Sequence, residues 1–431
     1  METTAKESSN RVIFLDNLRY FFVLCVVLLH SSNAYYSSLF FMKWWPVSES
    51  DSSIALGLLC VVLNGFTMPL LFYVAGYFAL PTIQKHGISS FIKGKLKRLG
   101  IPWIVCTLTI CPILPLIYHY TRDHLTLSTS YLDLWIILMK NFAQFNVGMI
   151  TSMDKLMMNN GFYQRYMWFI SLLLLFFFVF SIIYKVKKKW FDMSDPVTMK
   201  NPSVSSSLKL LAVVGSLSLF SSAISVLIVL LSGQTDDPSD WFTLGNVIQF
   251  QPYMLSPFII YFGMGIVTYR NKWIERGKFP GHFKTWMISF IVLLIAYLYF
   301  WNAFVRAPMG SKAMHVYGFL SFPIYSFLTM SILGFFSSLA AKYWNHPTTI
   351  DRNLASNSYN MYLSHYIFVL VFQLILFTIP EIPVLLKFAI VSTSSILCAY
   401  LVSQFLIKPF PKLTVVLLSI MLIVMFVVIK P

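Results

Sequence analysis

Two histidines and two groups of cations stand in apolar surroundings where a simple membrane anchor would carry none. In "LDNLRYFFVLCVVLLH" (15–30), Asp16 and Arg19 open a hydrophobic run that ends on His30. Arg19 and His30 are eleven residues apart. On a helix that is nearly three whole turns, so they point the same way at depths differing by roughly 16 Å. Asp16, Val23, Val26 and Asn33 fall on or near the same stripe. A second stretch, "NSYNMYLSHYIF" (357–368), brings Tyr359, Tyr362, Ser364 and His365 into the first turns of another apolar run. A third, "FIKGKLKRLGIPW" (91–103), sets Lys95 and Arg98 one turn apart with Pro102 beyond.

The chemistry open to these residues is definite. Imidazole titrates near neutrality, so a histidine can take the proton of a hydroxyl, which is otherwise a poor nucleophile, or carry a transferred group itself. An arginine oriented by an aspartate can hold a carbonyl or stabilise a developing oxyanion. A lysine and an arginine three residues apart share a helix face and can clamp a phosphate, the arginine by a bidentate fork and the lysine as a point charge. Each has a bland counterpart. Arg19 can snorkel to headgroups paired with Asp16, the histidines can be hydrogen-bonded packing residues, and cations beside a span can report topology alone.

The elements that must position these groups are membrane helices. Of 431 residues, 57% are hydrophobic and 11% charged, which excludes an ordinary soluble fold. Continuous apolar runs long enough to cross a bilayer recur near 17–40, 54–80, 99–120, 163–184, 207–232, 249–270, 284–304, 315–341, 358–379, 383–407 and 411–430. They do not alternate at period two, so a closed barrel is excluded. The expected fold is an all-α polytopic membrane protein of about 10–11 transmembrane helices around a buried polar chamber. "YLDLWIILMKNFAQF" (131–145) is shorter and carries Asp133 and Lys140, and reads as an interfacial or re-entrant helix.

The formal net charge of +16 is concentrated in alternate loops: 81–98, 185–209 and 270–284 are rich in lysine and arginine, whereas 41–53 and 233–248 are poor in them. By the positive-inside rule the basic loops and the N-terminus are cytoplasmic. The excess charge then reports topology and lipid headgroups as partner, and no nucleic-acid partner is expected. Cys25, Cys60, Cys106, Cys111 and Cys398 all fall inside apolar runs, which implies neither a disulfide framework nor a metal site. The first 14 residues are polar and the run after them is too long for a signal h-region, so no cleavable signal peptide is expected. There is no internal repeat, and 194–207 reads as a flexible Ser/Pro-rich loop. Trp44 and Trp45, in a loop of the opposite face, fit an interfacial aromatic belt or a platform for a sugar ring.

Taken in order, these stretches resemble the acyltransferase 3 family of integral-membrane O-acyltransferases. Asp16, Arg19 and His30 match its opening arginine-x10-histidine segment. "MPLLFYVAGYF" (68–78), "KLKRLGIP" (95–102), "YMWFI" (166–170), "YFGMGIVTYRN" (261–271) and "SYNMYLSHY" (358–366) are similar to later motifs of that family. "FLDNLR", "RLGIP" and "NSYNMYLSHY" look closest to its glucan-modifying, succinyltransferase-like branch. Two departures stand out. Lys95 replaces the first arginine of the R-x-x-R segment, losing the bidentate fork, and an apolar span at 411–430 follows the usual ten.

The resemblance implies transfer of an acyl group, acetyl or succinyl, from cytoplasmic acyl-CoA to a hydroxyl of a saccharide or cell-envelope glucan at the inner membrane. His30 would be base or acyl carrier, Arg19 would orient the thioester or stabilise the oxyanion, and Asp16 would fix Arg19. Lys95 and Arg98 would hold CoA phosphates, while Tyr362 and His365 would position substrate. No resident cofactor is implied, acyl-CoA being the donor substrate. The chain divides as an N-terminal tail (1–16), a membrane domain (17–407) and an additional C-terminal helix (408–431). The rival expectation is a secondary transporter or flippase that uses Arg19, His30 and His365 as a polar relay.

Overall fold

The structure, a computed structural model, describes residues 12–35, 45–123, 130–150, 164–192, 203–234, 240–274, 279–308, 310–346 and 348–429. In chain order its elements are α1 (Ile13–Ser32), α2 (Ile54–Lys95), α3 (Ile101–Thr109), α4 (Leu114–Asp123), α5 (Tyr131–Ala143), β1 (Val147–Ile150), α6 (Trp168–Val186) and the short α7 (Lys188–Asp192). There follow α8 (Val204–Leu231), β2 (Trp241–Leu244), β3 (Ile248–Phe250), α9 (Pro252–Arg270), α10 (Phe283–Arg306), α11 (Lys312–Tyr343), α12 (Thr349–Phe377), α13 (Val384–Val402) and α14 (Pro411–Val428).

This is an all-α polytopic membrane protein. Among the described residues nine helical segments are long and apolar enough to cross a bilayer, and one of them, Ile54–Arg122, runs for 69 residues and holds two expected spans. The helix is interrupted at Gly87, whose φ of 75° leaves the right-handed region as only glycine readily does. Within the described residues the expected spans fall largely on helix, with α9 taking 252–270 after β3, while 36–40 and 163 at the ends of two expected spans lie outside the described residues. Burial ranks them: 67% of the apolar window of α1 is enclosed by protein, against 6% for α10 and none for α14. So α1 is the centre of the bundle and α14 its periphery.

Three local devices position the centre. At the start of α12, Thr348 and Asp351 form a capping box, and the Asp351 carboxylate also accepts from the Tyr20 hydroxyl (2.5 Å) and the Trp344 indole (2.9 Å). One helix start is thereby fastened to α1. Next, α2 and α9 cross at glycines: a Cβ added to Gly265 would lie 2.1 Å from the Tyr73 carbonyl oxygen, and one on Gly76 would lie 2.0 Å from that of Phe262. Small residues permit this backbone approach, as in other membrane helix pairs.

The third device is a π turn, Leu96–Gly100, between α2 and α3. Pro102 has no N–H to give the carbonyl four residues earlier and its ring crowds that carbonyl, so a regular α-helix cannot pass through 98–102. The Arg98 carbonyl takes a hydrogen bond from the Tyr359 hydroxyl instead (2.6 Å).

Beyond the expected helices the chain adds a small antiparallel sheet of order β1-β2-β3. Its β2–β3 turn uses Gly245 and Asn246, both at positive φ. The Asn246 amide donates to the Asn141 and Gln144 carbonyls, tying the turn to the end of α5. At 13 residues α5 is too short to cross a bilayer, and it is capped by Ser130.

Candidate functional site

α1 and α12 run side by side in the same direction, and the polar groups of α1 meet one face of α12. Near the start of both helices, Arg19 donates to the Ala355 carbonyl (3.0 Å) and to the Ser358 hydroxyl (3.4 Å). Its other arm pairs with Asp16 (3.2 Å). Eleven residues along α1, His30 Nδ1 lies 2.8 Å from His365 Nε2. Ala355, Ser358 and His365 are spaced by three and seven residues, so they line a single stripe. The face shared by Arg19 and His30 is therefore the face α12 covers.

The two imidazoles lie edge to edge. Their planes differ by 5° and their centroids are 5.1 Å apart; with nitrogens in hydrogen-bond contact, that describes two rings in nearly one plane. His365 is fully buried, and its Nδ1 lies 2.6 Å from the Tyr362 carbonyl oxygen. His30 is only partly buried, and no described residue hydrogen-bonds its Nε2. One nitrogen of His30 is thus committed to protein and the other has no hydrogen-bond partner among the described residues.

Aromatic rings fix the pair from the sides. Tyr366 stands edge-on to His30 (5.2 Å, 85°) and stacks on Tyr166 (4.4 Å, 6°). Tyr166 and α12 exchange hydrogen bonds: the Tyr362 hydroxyl donates to the Tyr166 carbonyl (3.0 Å), and the Tyr166 hydroxyl to that of Leu363 (3.2 Å). What Tyr362 offers the histidines is consequently its backbone carbonyl, its hydroxyl being engaged elsewhere. Trp45 packs on the remaining side of His30 (5.3 Å).

Trp45 corrects both expectations for it. At 1% exposure it is neither a belt residue nor an open sugar platform; its indole donates to Gln373 Oε1 (2.9 Å) inside the core. Trp44 lies outside the described residues. Gln373, unremarked in the sequence, also donates its amide N–H groups to the His30 and Ser31 carbonyls (3.2 Å each). These carbonyls lie in the last turn of α1, where the His30 oxygen also takes the Asn33 N–H. The available signal was an amide inside "LVFQLILF".

Also unforeseen is an ion pair at the same end of the bundle, in which Lys387 of α13 holds Glu49 at 3.0 and 3.1 Å with side chains 2% and 5% exposed. Arg122 donates to the Trp45 and Pro46 carbonyls (2.9 and 3.3 Å). The segment carrying Trp45 is thus held from α4, α12 and α13.

The two cations of 91–103 part company. i→i+5 bonding widens the turn that follows Lys95, and the two side chains rest on different aromatic rings while staying within electrostatic reach of each other. The Lys95 ammonium lies over Phe177 of α6 (4.0 Å), while the exposed Arg98 guanidinium lies over Tyr359 of α12 (5.3 Å). Arg98 and Arg19 therefore converge on the same turns of α12, 355–359, short of the histidines. Beside Lys95 a groove of about 330 Å³, bounded by Trp103, Leu174, Phe178 and Val247, is otherwise apolar.

Comparison with known proteins identifies the scaffold. The family model for an acyltransferase domain, acyltransferase 3, matches residues 12–429. The chain belongs to the acyltransferase 3 family. Glucans biosynthesis protein C of Escherichia coli K12 is 30% identical over 108 residues, 25% of this chain and 26% of the relative. The protein of the same name from Escherichia coli O1:K1 is 29% identical over the same length. The matched stretch spans about a quarter of these relatives. No solved structure matches. Within this family of membrane acyltransferases, the chain places its paired histidines at the inner end of a stripe that begins with Arg19.

Proposed function

We propose that this protein transfers an acyl group, acetyl or succinyl, from acyl-CoA to a hydroxyl of a saccharide or cell-envelope glucan in the inner membrane, its N-terminus and basic loops facing the cytoplasm. The observation that carries the reading is His30: one ring nitrogen is held by His365 and the other is unpartnered among the described residues, in a chain of acyltransferase class. Arg98, Arg19 and Lys95 form the donor side and bind phosphates of CoA. The pantetheine arm then has roughly 16 Å to span, from the level of Arg19 to that of His30.

At that depth His30 takes the hydroxyl proton as the acceptor oxygen bonds to the thioester carbonyl carbon. The C–S bond breaks with its electron pair left on sulfur, and the proton passes to that sulfur to give free CoA. Topology supports the cytoplasmic donor face, since the basic loops lie at the Arg19 end of α1. The name of the Escherichia coli relatives supports a glucan acceptor. No observation favours the transporter or flippase reading.

The test is incubation of the purified protein in nanodiscs with radiolabelled acetyl-CoA or succinyl-CoA and a panel of glycans. Labelled glycan and free CoA are expected from the wild type, and loss of both, by about 10²-fold or more, from His30→Ala. Transfer by His30→Ala at the wild-type rate would refute the assignment.

A further inference from the structure

We infer that His365 is a positioning residue that sets the tautomer of His30, presenting Nε2 as the reacting nitrogen and making the pair a single proton acceptor. The inference rests on the proposed acyl transfer and deepens it.

The argument follows donors and acceptors along one line. The Tyr362 carbonyl oxygen can only accept, so His365 Nδ1, 2.6 Å away, carries a proton and donates it. In a neutral ring the other nitrogen is then a lone pair, so His365 Nε2 accepts. His30 Nδ1, 2.8 Å from it, must be the donor. The proton of His30 therefore sits on Nδ1 and the lone pair on Nε2, the atom without a described partner.

Each contact excludes the opposite order. Reversing the His30–His365 bond would put a proton on His365 Nε2 and, in a neutral ring, turn its Nδ1 lone pair against the carbonyl of Tyr362 at 2.6 Å. The near-common plane of the rings is the geometry an N–H···N bond needs. The carbonyl, in turn, is fixed by the Tyr362–Tyr166 exchange and the Tyr166–Tyr366 stack.

Two consequences follow for the reaction. Only Nε2 of His30 can take the hydroxyl proton or bond an acyl carbon, because Nδ1 is occupied on both accounts. Once Nε2 is protonated, the imidazolium donates from Nδ1 to a neutral ring whose own proton is committed to a backbone carbonyl. The second histidine thus fills the place that a carboxylate fills behind the histidine of a serine hydrolase, without adding a negative charge to an apolar bundle.

The test separates tautomer from activity. Wild type, His365→Leu and His365→Gln are prepared with ¹⁵N-histidine in nanodiscs, and their spectra are compared with that of His30→Ala to assign ring nitrogens. Expected for wild-type His30 are a protonated Nδ1 and an unprotonated Nε2. His365→Leu, which cannot accept, should lose that preference and lower kcat about 10²–10³-fold with KM for acyl-CoA within twofold, by the magnitude usual for an oriented general base. His365→Gln, whose Oε1 can take the place of Nε2 as acceptor, should restore the tautomer and return kcat to within about tenfold of wild type. An Nε2-protonated His30 in the wild type, or a Leu variant with wild-type kcat, overturns the inference. If the tautomers are as stated and no variant or wild type transfers acyl groups, the proposed function fails while the hydrogen-bond assignment stands.

Discussion

His30 and Arg19 show how differently two polar residues on one stripe can be used. Arg19 gives its donors to Asp16, to a backbone carbonyl and to Ser358 at a helix start, whereas one nitrogen of His30 has no partner among the described residues. In the proposed reaction Arg98 belongs to the donor side, an exposed cation lying over Tyr359 on the turns of α12 that Arg19 also reaches. Arg98→Ala should remove a charge-assisted contact of about 1.5–3 kcal/mol. KM for acyl-CoA is then expected to rise tenfold or more while KM for glycan stays put, read from initial rates with each substrate varied. Equal rises in both would place Arg98 away from the donor. The stripe itself was legible, because eleven residues of helix fix relative direction whatever the surroundings. That both histidines stand in apolar helical runs was also legible. Which of their nitrogens meet was not, since that depends on how far α12 slides along α1, a quantity no single helix encodes. Gln373 and the Lys387–Glu49 pair escaped for the same reason: each is defined by its partner.

Helix runs are the best-read elements and short strands the worst. Twenty apolar residues announce a span on their own, but β1, β2 and β3 have four, four and three residues, and Val147 pairs with Leu244 across an intervening pair of membrane helices. The π turn had a local cause in Pro102, yet its effect on Lys95 and Arg98 required the neighbouring rings of Phe177 and Tyr359. A sharp test of element packing lies within α9, where two glycines two residues apart have opposite surroundings. A Cβ at Gly265 would meet the Tyr73 carbonyl oxygen at 2.1 Å and the Tyr77 nitrogen at 2.6 Å, both backbone, while Gly263 has nothing within 4 Å. Gly265→Ala should force α2 and α9 apart at a cost of about 1–3 kcal/mol or more. Gly263→Ala should leave stability unchanged or raise it by up to ~1 kcal/mol, as expected in a helix. Thermal unfolding in detergent, followed by intrinsic fluorescence, distinguishes them; equal Tm values would mean that the crossing is looser than described.

Across the whole molecule, polar order is arranged at two levels joined by α1. At one end Asp351, Tyr20 and Trp344 fasten the starts of α1 and α12; at the other, Lys387, Gln373 and Arg122 hold the segment after α1. Lys387→Met leaves Glu49 without its counter-charge in a buried site, which costs about 3–5 kcal/mol when a partner is removed. Adding Glu49→Leu removes the orphan charge and should recover most of that loss in Tm, a non-additivity visible in a double-variant cycle. Simple addition of the two losses would show that the residues act separately. The paired histidines also have a consequence for how the enzyme comes into being. His30 is made early and His365 follows 335 residues later. At roughly 5–20 residues per second, the ribosome takes on the order of half a minute to supply the second ring. Throughout that interval the newborn chain owns its arginine, already beside Asp16, and its first histidine, but lacks the ring that meets that histidine, so on the proposed reaction activity waits for α12. A chain cut anywhere before α12 should be inert however well its first helices insert.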